Sequence, residues 1–179
     1  MAETRGERRQ PAPTTGEWAV LGLLAMGPAH GFALAKRLQP DGTLGRVWSL
    51  RTPLVYRAIQ NLVLKGLAEP RGEERSELGP QRRLMAITDR GQALLDRWLV
   101  EPVGHTREVR SALMLKLALS EQLGRGAGPL LAAQHLRLRP QAEGLERQLV
   151  GAEGFDRVLV LWRLEAVRSV LRFLEQAGT

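Results

Sequence analysis

One helix with marked ends lies in residues 50–66. Thr52 and Pro53 mark its start, because a threonine hydroxyl caps a helix and proline suits the first turn, where its missing N–H has no partner. Gly66 marks its end, because glycine readily adopts the left-handed conformation that closes a helix. The sequence therefore predicts a helix over residues 53–65, and the neighbouring segments have to pack around it.

This predicted helix has an apolar and a polar side. Apolar residues recur at helical spacing at positions 55, 58, 59 and 62. Arg57, Gln60 and Asn61 are predicted to lie on the opposite side, with Tyr56 at the edge between the two. Such side chains can read base edges in a DNA major groove. A polar outer face is also typical of any solvated helix, so the neighbouring segments must decide between the two interpretations.

The segments around the helix predict a winged helix–turn–helix domain. Residues 17–25 and 31–38 predict two short helices separated by the turn Gly27-Pro28, the second helix burying Phe32 and turning Arg37 outward. Residues 67–71 and 82–87 predict two strands joined by a polar loop. Thr88 is predicted to cap a fourth helix that runs to about residue 99. Three helices followed by a hairpin are typical of domains that place the third helix in the major groove.

Positive charge is concentrated around the central helix. The chain has a formal net charge of +7, and residues 17–68 contain six Lys or Arg against two acidic residues. Phosphate neutralisation requires such an excess at a DNA-binding surface. The helix is predicted to read bases, while its N-terminal end and the hairpin are predicted to contact the backbone. The predicted DNA-binding residues are Arg51, Thr52, Tyr56, Arg57, Gln60, Asn61, Gln81, Arg82 and Arg83.

Composition and periodicity divide the chain into three regions. Residues 1–16 are polar and aperiodic and predict a disordered tail, residues 17–102 predict the winged domain, and residues 103–179 predict an all-helical dimerisation region that also offers room for an effector. The predicted fold class is mainly α with a small β-hairpin. Cysteine is absent and no apolar run is long enough to cross a membrane, so we expect a cytoplasmic protein.

Catalytic and metal-binding motifs are missing from the sequence. His30, His105 and His135 are far apart and lack metal-ligand spacing. His30 lies beside the Gly27-Pro28 turn, where it is expected to stabilise the turn through a hydrogen bond. The sequence contains no phosphate loop and no nucleophile elbow. We therefore expect a protein that is not an enzyme and that has no cofactor or metal.

The last predicted helix carries apolar residues along two stripes. The stripe containing Phe155 and Trp162 is expected to pack on the chain itself, and the stripe containing Leu161 and Leu164 is expected to need cover from a second chain. A homodimer satisfies both. The predicted interface residues are Leu159, Leu161, Trp162, Leu164, Ala166 and Phe173.

Two tryptophans lie near the predicted junction of the winged domain and the helical region. Trp98 and Trp162 are candidates for the walls of a pocket that binds a flat aromatic effector. Packing in the core is the alternative interpretation for both residues, because large aromatic side chains dominate cores in general.

In their order and spacing these segments resemble the PadR family of transcriptional regulators. The resemblance covers residues 17–99 closely and implies a dimeric winged-helix repressor that often releases DNA when a small molecule binds. Two positions depart from the family pattern: Pro53-Leu54 replaces a common Gly-Thr, and Leu84-Met85 replaces a tyrosine pair in the wing. The segments that carry the resemblance are Ala19–Leu24, Gly27–Phe32, Leu54–Ile59 with Leu62, Gly66–Leu67, Gly79–Arg83 and Ile87–Gly91.

Two functional hypotheses follow. The leading one is a homodimeric, sequence-specific repressor that binds double-stranded DNA at an inverted repeat and is released by an aromatic small molecule. The alternative is a winged-helix module whose basic face docks on an acidic protein. DNA binding requires a steep salt dependence and a preference for an inverted repeat, and protein docking requires neither.

Overall fold

The computed structural model describes residues 11–76 and 79–178, and for residues 74–76 and 79–81 it describes the backbone alone. The elements in chain order are α1 (Thr15–Leu24), β1 (Ala29–His30), α2 (Gly31–Arg37), α3 (Thr52–Leu64), β2 (Ala68–Ser76), β3 (Gly79–Ile87), α4 (Asp89–Val100), α5 (Met114–Gln122), α6 (Gly128–Val150) and α7 (Gly154–Ala177). The strands form one antiparallel sheet in the order β1-β3-β2. Most of the described chain is helical, which confirms the predicted fold class.

Helix α1 is the centre of the N-terminal core. Every residue from Glu17 to Leu24 is buried, so this part of the helix is covered on every side. Part of the cover comes from α5, whose Leu119 packs directly on Gly22. A Cβ atom at Gly22 would lie 2.5 Å from Leu119 Cδ1, so glycine allows the two helices to approach.

Helix α2 buries a side that does not include Phe32. Leu34, Ala35 and Leu38 are buried and share one side of the helix. Phe32 lies off that side and is 57% exposed, so the prediction that it is buried was wrong. Arg37, predicted to point outward, is half-buried, and its Nη2 donates to Oε1 of Gln122, the last residue of α5, at 2.8 Å.

The hairpin is longer than predicted. β2 extends to Ser76 and β3 begins at Gly79, so most of the predicted loop between residues 72 and 80 is strand. This part of the hairpin lacks apolar alternation, which explains the error; the register instead places Glu73 opposite Arg83, and opposite charges stabilise a cross-strand pair. β1, which was not predicted, adds a third strand by pairing His30 with Leu84.

The segment before α6 connects two hydrophobic cores. A 3₁₀ turn (Thr106–Glu108) and a π turn (Val109–Leu113) lead into α5. Leu115 and Leu119 are buried in the N-terminal core with α1, while Leu113 is buried in a second core that α6 and α7 build. The segment is therefore buried on more than one side.

Helices α6 and α7 form a hairpin, and α7 has two apolar faces as predicted, but their assignment was wrong. Leu164, predicted at the interface with a second chain, is fully buried in its own chain together with Val167 and Leu174. Phe155 and Trp162, predicted to pack on the chain itself, are 76% and 68% exposed. Val167 explains the difference, because it aligns with Leu164 and Leu174 on the side that faces α6. Of the other predicted interface residues, Leu161 is exposed, and Leu159, Ala166 and Phe173 are half-buried.

Candidate nucleic-acid interface

The apolar spacing of helix α3 determines its buried side, and the glycine after it determines where it ends. Its buried side consists of Val55, Ala58, Ile59 and Leu62, as predicted. Gly66, with a φ of +66°, ends the helix, and Leu67 N–H donates to Leu62 O at 2.9 Å. The start differs from the prediction: Arg51 occupies the capping position without a side-chain hydrogen bond, and Thr52 is the first helical residue. The Thr52 hydroxyl is therefore not the cap.

The outer side of α3 carries the predicted base-reading residues. Arg57 and Gln60 are exposed, and Tyr56 is 46% exposed at the edge. The Tyr56 ring rests on the backbone of Gly31, where a Cβ atom would lie 2.5 Å from Tyr56 Cε1. Tyr56 and Gln60 line a groove of about 520 Å³ between α3 and the wing, together with Arg83. The structure thus brings three of the predicted residues to one groove.

Asn61 does not lie with them. Its Nδ2 donates to Glu17 Oε1 at 2.8 Å, and Lys65 Nζ lies 2.6 Å from Glu17 Oε2. Glu17 also closes a capping box at the start of α1, where it accepts from Thr14 N–H at 2.9 Å. Asn61 therefore joins the end of α3 to α1, and the prediction that it points away from the core was wrong.

The two wing arginines point in different directions. Arg83 lines the groove beside α3, whereas Arg82 lies beside α2, with its guanidinium carbon 5.5 Å from the centre of the Phe32 ring. Both side chains are exposed, as is Arg51. The side chain of Gln81 lies outside the described part of the structure. Arg51, Arg57, Arg82 and Arg83 supply the positive charge of this face.

Sequence reasoning missed the residues that support this face. Gly31, Phe32 and Lys65 carry no motif of their own, since each acts through a partner that is distant in sequence. His30 is the exception: it caps α2 by accepting the Ala33 N–H at Nδ1, at 3.1 Å, as expected for a histidine that stabilises this turn.

Trp98 lies in a cluster between the winged domain and α5. Its ring stacks on Trp18, with centroids 4.5 Å apart and planes inclined by 9°. Lys116 Nζ lies 4.7 Å from the centre of the same ring, and burial lowers the pKa of Lys116 to about 8 despite the opposing effect of Glu101 and Glu108. A cavity of about 810 Å³ opens beside Trp98 and Trp18. Leu94 and three basic side chains, Lys65, Arg90 and Arg97, also line it.

Trp162 is not part of this cavity. It lies on the exposed face of α7, and the structure does not bring it together with Trp98 in the cavity that Trp98 lines. The two predicted effector residues therefore belong to different surfaces.

Among the described side chains, no group of three or more His, Asp or Glu is placed to hold a metal ion. Within the described helices, none combines the length and hydrophobicity that a membrane span requires.

The fold and its basic outer face define a winged helix–turn–helix domain of the DNA-binding class. Residues 20–97 match the Transcriptional regulator PadR-like family. That family consists of transcriptional regulators and not of enzymes.

One curated relative and two solved structures are similar to this chain. A stretch of 97 residues is 30% identical to the probable transcriptional regulator Rv1176c of Mycobacterium tuberculosis and covers 54% of this chain and 49% of that protein. The chain thus matches about half the length of this relative. Bacillus subtilis PadR in complex with operator DNA is 23% identical, with 91% of this chain and 97% of that chain covered and a TM-score of 0.46. The same protein in complex with p-coumaric acid is 20% identical, with 94% and 96% covered and a TM-score of 0.42.

Proposed function

We propose that the protein is a homodimeric transcriptional repressor that acts in the cytoplasm, binds an inverted-repeat operator and releases it when an aromatic effector binds. The observation that carries the proposal is the outer side of α3 within a PadR-like domain, where Arg57 and Gln60 are exposed beside a basic wing. Arg pairs with guanine and Gln with adenine through two hydrogen bonds each. The wing and Arg51 hold the duplex by its phosphates.

The base-reading role makes the first prediction. Arg57→Ala or Gln60→Ala should weaken binding to the best operator by about 1–3 kcal/mol, because each removes a directional base contact. Each should also reduce the base preference at one position of each half-site. Selection of duplexes from a random pool, repeated with each variant, measures both effects. Arg83→Ala is the control: it should weaken all duplexes alike and reduce the salt slope by about one unit. If Arg57→Ala leaves both the selected consensus and the affinity unchanged, the outer side of α3 does not read bases.

The same selection separates the alternative function. A protein-docking module would enrich no sequence from the pool and would show no steep dependence of duplex affinity on salt. Enrichment of an inverted repeat with a steep salt slope supports the repressor.

The dimer is supported by the outward face of α7. Phe155, Val158 and Trp162 lie at helical spacing, and all are exposed on the side away from Leu164. Contiguous apolar surface on a soluble chain marks an interaction site. A second copy of the same hairpin would cover this face through a two-fold contact and would align two α3 helices roughly 34 Å apart, one turn of duplex. We therefore assign Phe155 and Val158 to the interface together with the predicted Leu161 and Trp162.

The effector site is proposed beside Trp98 and Trp18. Aromatic walls combined with Lys65, Arg90 and Arg97, which outnumber the acidic Glu101 in the same lining, favour a flat aromatic anion. Lys65 also pairs with Glu17 at the end of α3, so a ligand that draws Lys65 away would disturb the position of the recognition helix. Through this contact, binding of the ligand would change the position of α3 and therefore the affinity for DNA.

The second prediction tests this site with a panel of aromatic carboxylates that includes p-coumaric acid. A true effector should quench tryptophan emission and lower operator affinity, and linkage requires operator DNA to lower effector affinity by the same factor. Arg97→Ala should weaken effector binding measured by calorimetry, whereas the control Trp162→Phe should leave it unchanged. A panel that produces neither quenching nor loss of DNA affinity would assign Trp98 to core packing alone.

A further inference from the structure

Phe32 is an apolar side chain that is more than half exposed. It lies in the first turn of α2 at 57% exposure, next to the base of the wing. The guanidinium carbon of Arg82 lies 5.5 Å from the centre of its ring, within the distance at which an aromatic face attracts a cation. The exposed ring therefore has a specific neighbour, and that neighbour is a wing arginine.

His30 fixes the other side of this arrangement. Its Nδ1 accepts the Ala33 N–H, which holds the imidazole ring in place. The ring lies 6.3 Å from the Phe32 ring, centre to centre, at an inclination of 21°. Its Nε2 is 3.5 Å from Arg82 Nη1. Since β1 pairs with β3 at His30 and Leu84, the backbone already joins this corner of α2 to the wing.

We propose that His30 and Phe32 form a ledge that holds the Arg82 guanidinium toward a backbone phosphate of the bound duplex. Phe32 is then a positioning residue for DNA binding that acts through Arg82. This inference rests on the proposed function. An exposed arginine samples many conformations, and restricting it before binding reduces the entropy lost when the phosphate contact forms.

The charge and position of Arg82 indicate which chemical group it binds. Arg82 is exposed on a wing strand, and among the described side chains no carboxylate forms an ion pair with it. A guanidinium held on the wing, on the side of α2, is suited to a phosphate, which it can bind through two N–H groups. Adjacent Arg83 faces the groove on the α3 side instead, so it provides a matched arginine without the ledge.

The test is a double-mutant cycle on the full chain, with the operator selected from a random pool and an unrelated duplex of equal length. Phe32→Ala should weaken binding to both duplexes by about two- to five-fold, the size of an exposed cation–π contact. This loss should vanish in the Arg82→Ala background and persist fully in the Arg83→Ala background. Phe32→Tyr should retain the affinity and Phe32→Leu should lose it, because leucine preserves apolar bulk without an aromatic face.

Each outcome has a definite meaning. A Phe32→Ala loss that persists in the Arg82→Ala background would show that the ring contacts DNA itself, and equal affinity of the leucine and tyrosine variants would show a packing role; either result overturns the proposal. Thermal unfolding of each variant verifies that the fold is intact. If the wild-type chain binds no duplex in a salt-dependent manner, the proposed function fails, whereas normal wild-type binding without coupling between positions 32 and 82 contradicts this inference alone.

Discussion

The full-length variant Val158→Asp/Trp162→Asp is expected to sediment as a monomer and to bind its operator at least about 100-fold more weakly than the wild type. The reason is avidity: two half-site contacts on one dimer act as a single strong contact, and separation of the chains removes the effective concentration of the second. Charge on the outward face of α7 should prevent association, because a carboxylate buried there would have no partner. Both residues are exposed in the single chain, so its fold should be retained.

Two controls make this prediction specific. Arg163→Asp introduces a similar charge on an exposed position outside the apolar face and should leave the dimer intact. Leu164→Asp should unfold the α6–α7 hairpin instead, since Leu164 is fully buried in its own chain. Analytical ultracentrifugation at micromolar concentration, combined with anisotropy titration on the operator, measures both quantities. A double variant that remains dimeric, or a monomer that binds an inverted repeat as tightly as the wild type, would contradict the proposed interface.

Glu17→Ala is expected to lower the free energy of unfolding by about 3–5 kcal/mol, the usual cost of removing one partner from a buried ion pair. The Glu17 side chain is 3% exposed and accepts from Lys65 and Asn61 of α3 and from the Thr14 backbone. Its loss would leave these donors without their acceptor and would open the capping box of α1. Glu143→Ala, which removes an exposed pair with Arg139, is the control and should change stability by less than about 0.5 kcal/mol.

Acid should reduce the difference between Glu17→Ala and the wild type. Burial raises the pKa of Glu17, but hydrogen bonds from Lys65, the Thr14 backbone and Asn61 outweigh it and hold the pKa below the ordinary value. A carboxyl group with a lowered pKa contributes stability above the pKa of the unfolded chain, and this contribution is lost as pH falls through the folded value. Urea unfolding over a pH series should therefore show the two proteins converging in acid. Parallel stability curves would rule out an ionised Glu17 as the source of the effect.

The predictions from sequence succeeded where the signal is local. Gly66 ends α3, the apolar stripe of α3 is buried, and Thr88 caps α4 by accepting the Gly91 N–H at 3.0 Å. Each of these features depends on residues within a few positions of one another. The outward placement of Arg57 and Gln60 follows from the same periodicity. Their roles in DNA binding remain predictions.

The failures concern partners far along the chain. Asn61 points inward because Glu17, 44 residues earlier, accepts its hydrogen bond, and Arg37 is drawn inward by Gln122, 85 residues later. Periodicity reports that a helix has two sides and not which element covers each side. For that reason it found both apolar stripes of α7 but assigned the wrong one to the core of its own chain. The full length of the wing was missed because the outer part of its strands has charged residues facing each other in place of apolar alternation.

The contact between Gly22 and Leu119 bears on how such chains can be recombined. The winged domain does not end after α4, because its central helix, α1, packs against Leu119 of α5. A chimera joined at Pro102 would place a foreign helix against Gly22, where side chains shaped for another neighbour must fill the same space. A junction within residues 123–127, after α5, would transfer the winged domain together with the helix that covers it and leave the α6–α7 hairpin to be exchanged.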